Sequence, residues 1–88
     1  MSYEVFIERG VQKALIRLPE GLPDVAYERV SDAIDALAED PRPPGSIELS
    51  GRPGYRLRID DYHILYAVDD EERVVAVFRV GHRRDIYH

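Results

Sequence analysis

The sequence predicts an α+β protein. An N-terminal strand and a helical hairpin precede a three-stranded antiparallel meander, and the helices cover one sheet face. Three patterns carry this prediction. The first residues alternate with period two, the next thirty follow a helical period, and the last third holds three strand-like runs separated by turn residues. A chain of 88 residues has room for one domain, spanning residues 1–88, with one modest core.

Tyr3-Glu4-Val5-Phe6-Ile7-Glu8 alternates and reads as a half-buried strand. Val11, Ala14, Leu15 and Leu18 then repeat at helical spacing, and Pro19 and Gly21 stop that segment. The first helix is therefore short, from about Arg9 to Leu18. A second helix starts near Pro23, because proline is tolerated in a first turn. Its apolar stripe is Val25 or Ala26, Val30, Ala33, Ile34 and Leu37, with Arg29, Asp32, Asp35 and Glu39 on the wet side. It ends before Pro41, which lacks the N–H a helix needs.

Pro41-Arg42-Pro43-Pro44-Gly45 is a stiff connection, Ile47 to Leu49 offers a short extended piece, and Gly51-Arg52-Pro53-Gly54 is a turn cluster. Tyr55–Ile59, Tyr62–Val68 and Arg73–Val80 are the three strands of the meander. The stretch from Gly81 to His88 is too polar for a central strand.

Composition narrows the function. The absence of cysteine excludes disulfides and thiolate metal sites and suits an intracellular protein. The start Met1-Ser2-Tyr3-Glu4-Val5 has no apolar secretory core, and no apolar run reaches the ~18–20 residues of a membrane span. A cytoplasmic protein with no membrane partner is expected. His63, His82 and His88 lack a zinc-like spacing, so neither metal nor cofactor is expected. The net charge is −5, unlike a typical basic nucleic-acid binder. The charges are segregated, however. Four acids stand together at Asp69-Asp70-Glu71-Glu72, and without them the C-terminal part from Gly51 onward is net positive. An anion site is expected within residues 52–66 and 79–88.

The hairpin around Asp60-Asp61 is the most informative feature. With those two residues as the turn, Arg58 faces His63 and Arg56 faces Leu65. Tyr55, Leu57, Ile59, Tyr62 and Ile64 then share the core face, and Arg56, Arg58 and His63 share the other. Two guanidiniums and an imidazole suit a phosphate: arginine offers a fork of donors, and histidine exchanges a proton near neutral pH. The same pattern also fits an ordinary solvated strand face. The tail adds Arg79, His82, Arg83, Arg84, Tyr87 and His88. Tyr87 is suited to stack on a base, and Arg83 or Arg84 to reach a phosphate.

Tyr55-Arg56-Leu57-Arg58-Ile59-Asp60-Asp61-Tyr62-His63-Ile64-Leu65-Tyr66 resembles the hairpin of RelE-type toxins, and Val80-Gly81-His82-Arg83-Arg84-Asp85-Ile86-Tyr87 resembles the ending of the same family. The resemblance spans nearly the whole chain. It implies a RelE-like microbial RNase fold and a type II toxin that cuts mRNA on the ribosome without a metal, the 2′-hydroxyl attacking the adjacent phosphate. By motif position it implies that Arg56 and Arg58 bind and orient the mRNA backbone; Arg79 and Arg84, from the basic tail, are further candidates for RNA binding. His63 and Arg83 would stabilise charge on the phosphate, and Tyr87 would stack on or activate the nucleotide at the cut. His82 and His88 are candidates for proton transfer. The family commonly has arginine at the position of His63. The implied partners are a cognate antitoxin, the ribosome and mRNA, with operator DNA touched only through the antitoxin. Two other readings share the fold: a ParE-like inhibitor of DNA gyrase, and an attenuated toxin-fold protein acting as an antitoxin-binding co-repressor.

Overall fold

The computed structural model describes residues 2–12 and 24–82. Strand β1 (Glu4–Ile7) leads into a helical segment over residues 9–12, the start of the expected first helix; the rest of that helix lies outside the described residues. Helix α1 spans Asp24–Ala36. Strands β2 (Ile47–Glu48), β3 (Tyr55–Ile59), β4 (Tyr62–Asp69) and β5 (Val74–His82) follow. They form one sheet in the order β1-β5-β4-β3-β2.

Helix α1 forms where its stripe was expected. Val30, Ile34 and Leu37 are essentially inaccessible to solvent, and Arg29, Asp32, Asp35 and Glu39 are exposed. Each fully buried aliphatic side chain stabilises the fold by about 1.5–3 kcal/mol. The helix then tightens: the N–H groups of Leu37, Ala38 and Glu39 each donate to the carbonyl three residues back. The Asp40 carboxylate next accepts the Arg42 N–H at 3.1 Å, which turns the chain into the proline-rich connection.

The stripe packs on Leu57, Ile64, Tyr66, Val75, Val77 and Val80, with Val11 completing the cluster. The β3–β4 register is the expected one: Tyr55↔Tyr66, Leu57↔Ile64 and Ile59↔Tyr62 on the helix side, Arg56↔Leu65 and Arg58↔His63 on the other. Asp60 adopts φ 55° in the turn, a left-handed conformation that aspartate tolerates better than most residues.

Three features depart from the sequence reading. Strand β5 continues through Gly81 and His82, which pair with His63 and Tyr62. The start of the polar tail is thus strand, because β4 is long enough to offer those partners. Strand β5 is also central, since β1 lies parallel beside it, with Val5↔Val75 and Ile7↔Val77. Finally, β5 carries a bulge. Leu65 pairs with Arg79 and Tyr66 with Val77, leaving Phe78 as the extra residue. The bulge explains how Val75, Val77 and Val80 all reach the core despite their uneven spacing. It also puts Arg79 on the face away from α1.

Candidate functional site

Two rows of side chains cross the face opposite α1. The first reads Arg79–Leu65–Arg56–Ile47 over β5, β4, β3 and β2. The second reads Gly81–His63–Arg58. Directly opposed residues bring their Cβ atoms within about 4.5–5.5 Å. Three arginines and one histidine, each near the turn end of the sheet, are therefore held by strand pairing and not by loops. Three of these positions, Arg56, Arg58 and His63, follow from the β3–β4 hairpin. Arg79 depends on the bulge.

The rows differ in exposure. His63 is 3 % exposed, and its Nδ1 is closed off from solvent. The ring is enclosed by its neighbours on the sheet face. It is thus not an ordinary surface histidine. Arg79 and Arg58 are exposed, and Arg56 is half-buried. The Arg58 Nε donates to the Asp60 carbonyl at 2.8 Å, and its Nη2 lies 3.8 Å from the Asp61 carboxylate. An exposed ion pair that long contributes little, so an incoming phosphate competes with it readily. Asp60 is engaged from the other side, its Oδ2 accepting the Arg29 Nε at 2.9 Å.

The structure does not bring every candidate together. His82 pairs with Tyr62, on the helix side of the sheet, and their rings meet edge to face at 5.5 Å. Strand alternation therefore separates His82 from the His63 face. Arg83, Arg84, Tyr87 and His88 lie outside the described residues.

At the opposite end of the sheet stands a polar cluster that sequence reasoning missed. Asp70 accepts the Tyr3 hydroxyl at 2.7 Å and two bonds from Arg42, at 3.2 and 2.7 Å. The Arg42 Nε donates to the Tyr55 hydroxyl at 2.8 Å, and its guanidinium lies over the Tyr55 ring. Tyr55 stacks on Tyr66, whose hydroxyl donates to the Pro41 carbonyl at 2.8 Å. Arg42, then Tyr3, hold the Asp70 carboxyl below its ordinary range, and Asp70 in turn raises the Tyr3 hydroxyl. Burial raises Tyr66. The cluster ties β1, the connection after α1, β3, β4 and the β4–β5 turn together, which is a structural task. No local pattern in the sequence announces it, because its members lie far apart along the chain.

Among the described residues, no group of three or more histidine, cysteine or carboxylate side chains is placed to hold a metal ion. No helix among them is long and apolar enough to cross a membrane.

The comparisons with known proteins agree with this architecture. Residues 5–87 match the family described as ParE toxin of type II toxin-antitoxin system, parDE. Toxin RelG of Mycobacterium tuberculosis is 33 % identical over 90 residues, covering 99 % of this chain and 98 % of that protein. The archaeal RelE-RelB complex from Pyrococcus horikoshii contains a chain superposing with TM-score 0.75 at 30 % identity, covering 94 % of this chain and 97 % of that one. The toxin-antitoxin complex RelBE2 from Mycobacterium tuberculosis shares the fold at TM-score 0.77 and 24 % identity, covering 94 % and 100 % of the two chains. With the strand order, the helix-covered face and the arginine rows in place, the chain belongs to the RelE/ParE superfamily of toxins of type II toxin–antitoxin systems.

Proposed function

We propose that this toxin is a ribosome-dependent mRNA endonuclease acting in the cytoplasm. The observation that carries the reading is the buried His63 set beside Arg58 and one row from Arg56 and Arg79 on a single sheet face. In the proposed reaction the 2′-oxygen loses its proton and attacks the adjacent phosphorus. The bond to the 5′-oxygen breaks, and that oxygen takes up a proton. The products are a 2′,3′-cyclic phosphate and a 5′-hydroxyl. Arg56, Arg58, Arg79 and Arg84 bind the RNA backbone through charge-assisted hydrogen bonds. His63 and Arg83 stabilise the charge that develops on the phosphate oxygens. Tyr87 stacks on the nucleotide at the cut, and His88 takes part in proton transfer. His82, turned to the other face, is the weaker candidate for that task.

A cognate antitoxin is the expected protein partner, as in the RelE-RelB relatives, and operator DNA is touched only through it. The arginine-bearing face is the surface such a partner must cover to silence the toxin.

The test is cleavage of mRNA on programmed ribosomes by the purified chain. Cut ends carrying a 2′,3′-cyclic phosphate, lost in Arg83→Ala, are the expected result. Cleavage that persists in Arg83→Ala combined with Tyr87→Phe would refute the site. A second reading, inhibition of DNA gyrase, is favoured by the ParE description of the matched family and by the net charge of −5. Blocked supercoiling with translation untouched would establish it instead.

A further inference from the structure

We propose that Arg52, seated on the Phe78 ring, binds a phosphate of an RNA strand and prolongs the arginine track on the face away from α1. The inference rests on the ribosome-dependent reading above and deepens it, by adding a backbone contact away from the cut.

The bulge in β5 prepares the seat. Phe78 is its extra residue, set between Val77, which enters the core, and Arg79, which does not. Phe78 itself takes no part in the core under α1. Its ring reaches across β4 toward the start of β3, where its Cε2 lies 3.6 Å from the point that a Cβ on Gly54 would occupy. Tyr55 faces α1, so position 54 faces the other way by strand alternation. The Phe78 ring therefore lies on the side of Arg79, Leu65 and Arg56.

The turn before β3 delivers the cation. The Leu49 N–H donates to the Gly54 carbonyl at 3.0 Å and closes the turn over Ser50-Gly51-Arg52-Pro53. Gly51 has φ 75° and Gly54 φ 127°, conformations that glycine adopts without strain, and Pro53 holds its own φ fixed. A Cβ on Gly54 would also come within 2.8 Å of the Tyr66 carbonyl oxygen, so turn and β4 are closely fitted. Arg52 leaves this braced turn with its guanidinium 4.7 Å from the centre of the Phe78 ring. It is exposed, and with the described residues it forms no ion pair. Glu48, the nearest acid in sequence, pairs with Tyr55 and so faces the α1 side. A guanidinium stacked on a ring keeps its in-plane N–H donors for a ligand, and their fork matches phosphate oxygens.

The position continues the rows already described. Gly54, Arg56 and Arg58 share one face of their strand. At strand spacing the seat is about 7 Å from Arg56 and roughly 13 Å from Arg58, the partner of His63. Three layers of positive charge thus follow one another on this face: Arg58 beside His63, then Arg79 and Arg56, then Arg52. A basic track of this kind holds a single strand through its backbone, whatever its bases. Arg52 is the layer farthest from His63, so it adds affinity and not chemistry.

The experiment measures the affinity of the chain for mRNA-programmed ribosomes at several salt concentrations, with single-turnover cleavage as a second readout. It compares the wild type with Arg52→Ala, Arg52→Lys and Phe78→Leu. Arg52→Ala should bind about tenfold more weakly. The slope of log affinity against log salt should become shallower by about 0.7, the share of one single-strand phosphate. Its cleavage rate at saturation should match the wild type. Arg52→Lys should keep the slope and lose part of the affinity, because a point charge replaces the fork. Phe78→Leu should do the same, because the charge remains but its seat is gone. Melting temperatures of the two Arg52 variants should stay within about 5 °C of the wild type. Messages truncated beside the A-site codon separate the two sources of phosphate. A penalty that vanishes with them assigns the contact to mRNA, and one that persists assigns it to ribosomal RNA. Unchanged affinity and salt slope in Arg52→Ala would overturn the proposal and leave the nuclease reading intact. A wild type that binds without cleaving would overturn the nuclease reading and leave the contact standing. A wild type that does not bind programmed ribosomes would overturn both.

Discussion

Arg42 and Arg58 occupy opposite ends of the same sheet and show two uses of one side chain. Arg42 makes two bonds to Asp70, a third to the Tyr55 hydroxyl and a stack on the Tyr55 ring. Its donors are spent on joining segments that are distant in sequence. Arg58 is more exposed, bonds one turn carbonyl, and meets Asp61 only at 3.8 Å. Around Arg42 the charges satisfy each other, and around Arg58 they lie beside a buried imidazole on a face shared with Arg56 and Arg79. Partner geometry, and not residue type, separates a structural arginine from one available to a ligand.

Perturbing each end tests that contrast. The largest effect is expected at His63. His63→Gln keeps a similar volume and hydrogen-bonding capacity but cannot take up a charge. Ribosome-linked cleavage, measured under single-turnover conditions, should fall about 10²–10³-fold. An unaltered rate would remove the imidazole from the chemistry. Next come the two arginines as a pair. Arg42→Ala should lower the melting temperature clearly, while Arg58→Ala should change it by no more than about 3 °C and instead reduce cleavage. The reverse outcome would break the comparison.

A smaller effect is expected at Tyr66. Tyr66→Phe deletes the buried hydroxyl that bonds the Pro41 carbonyl, and should cost about 1–2 kcal/mol in urea unfolding. The smallest effect is a pH dependence. Asp70 is held below its ordinary range when folded. Its contribution is therefore fully present above the unfolded carboxyl value, near ~3.9, and fades as pH falls through the depressed folded value. Asp70→Asn should be less stable than the wild type at neutral pH, and the two unfolding curves should converge in acid. A stability difference that grows toward acid would show that the clamp does not act through the carboxylate.

Much of this was legible in local patterns. The alternation of Tyr55–Ile59 against Tyr62–Ile64, closed by Asp60-Asp61, allows one register, because a slip of one residue would turn Leu57 and Ile64 out of the core. The stripe of Val30, Ile34 and Leu37 likewise marks the buried side of α1. Membership of the RelE/ParE superfamily was legible in the hairpin and tail motifs, and the comparisons bear it out.

The chain by itself thus determined its elements, their inward faces and the pairing of Arg58 with His63, because each depends on neighbours within a dozen residues and on a strict period. Tertiary structure alone decided the rest. The parallel seat of β1 beside β5 joins residues about seventy positions apart, which no local period encodes. The Phe78 bulge sits in an almost unbroken apolar run, and it decides that Arg79 joins Arg56 while Val80 enters the core. The continuation of β5 turned His82 away from His63, and packing buried His63 itself. These outcomes turn on which strand finds which partner, and that choice is made by the burial of the whole sheet against α1.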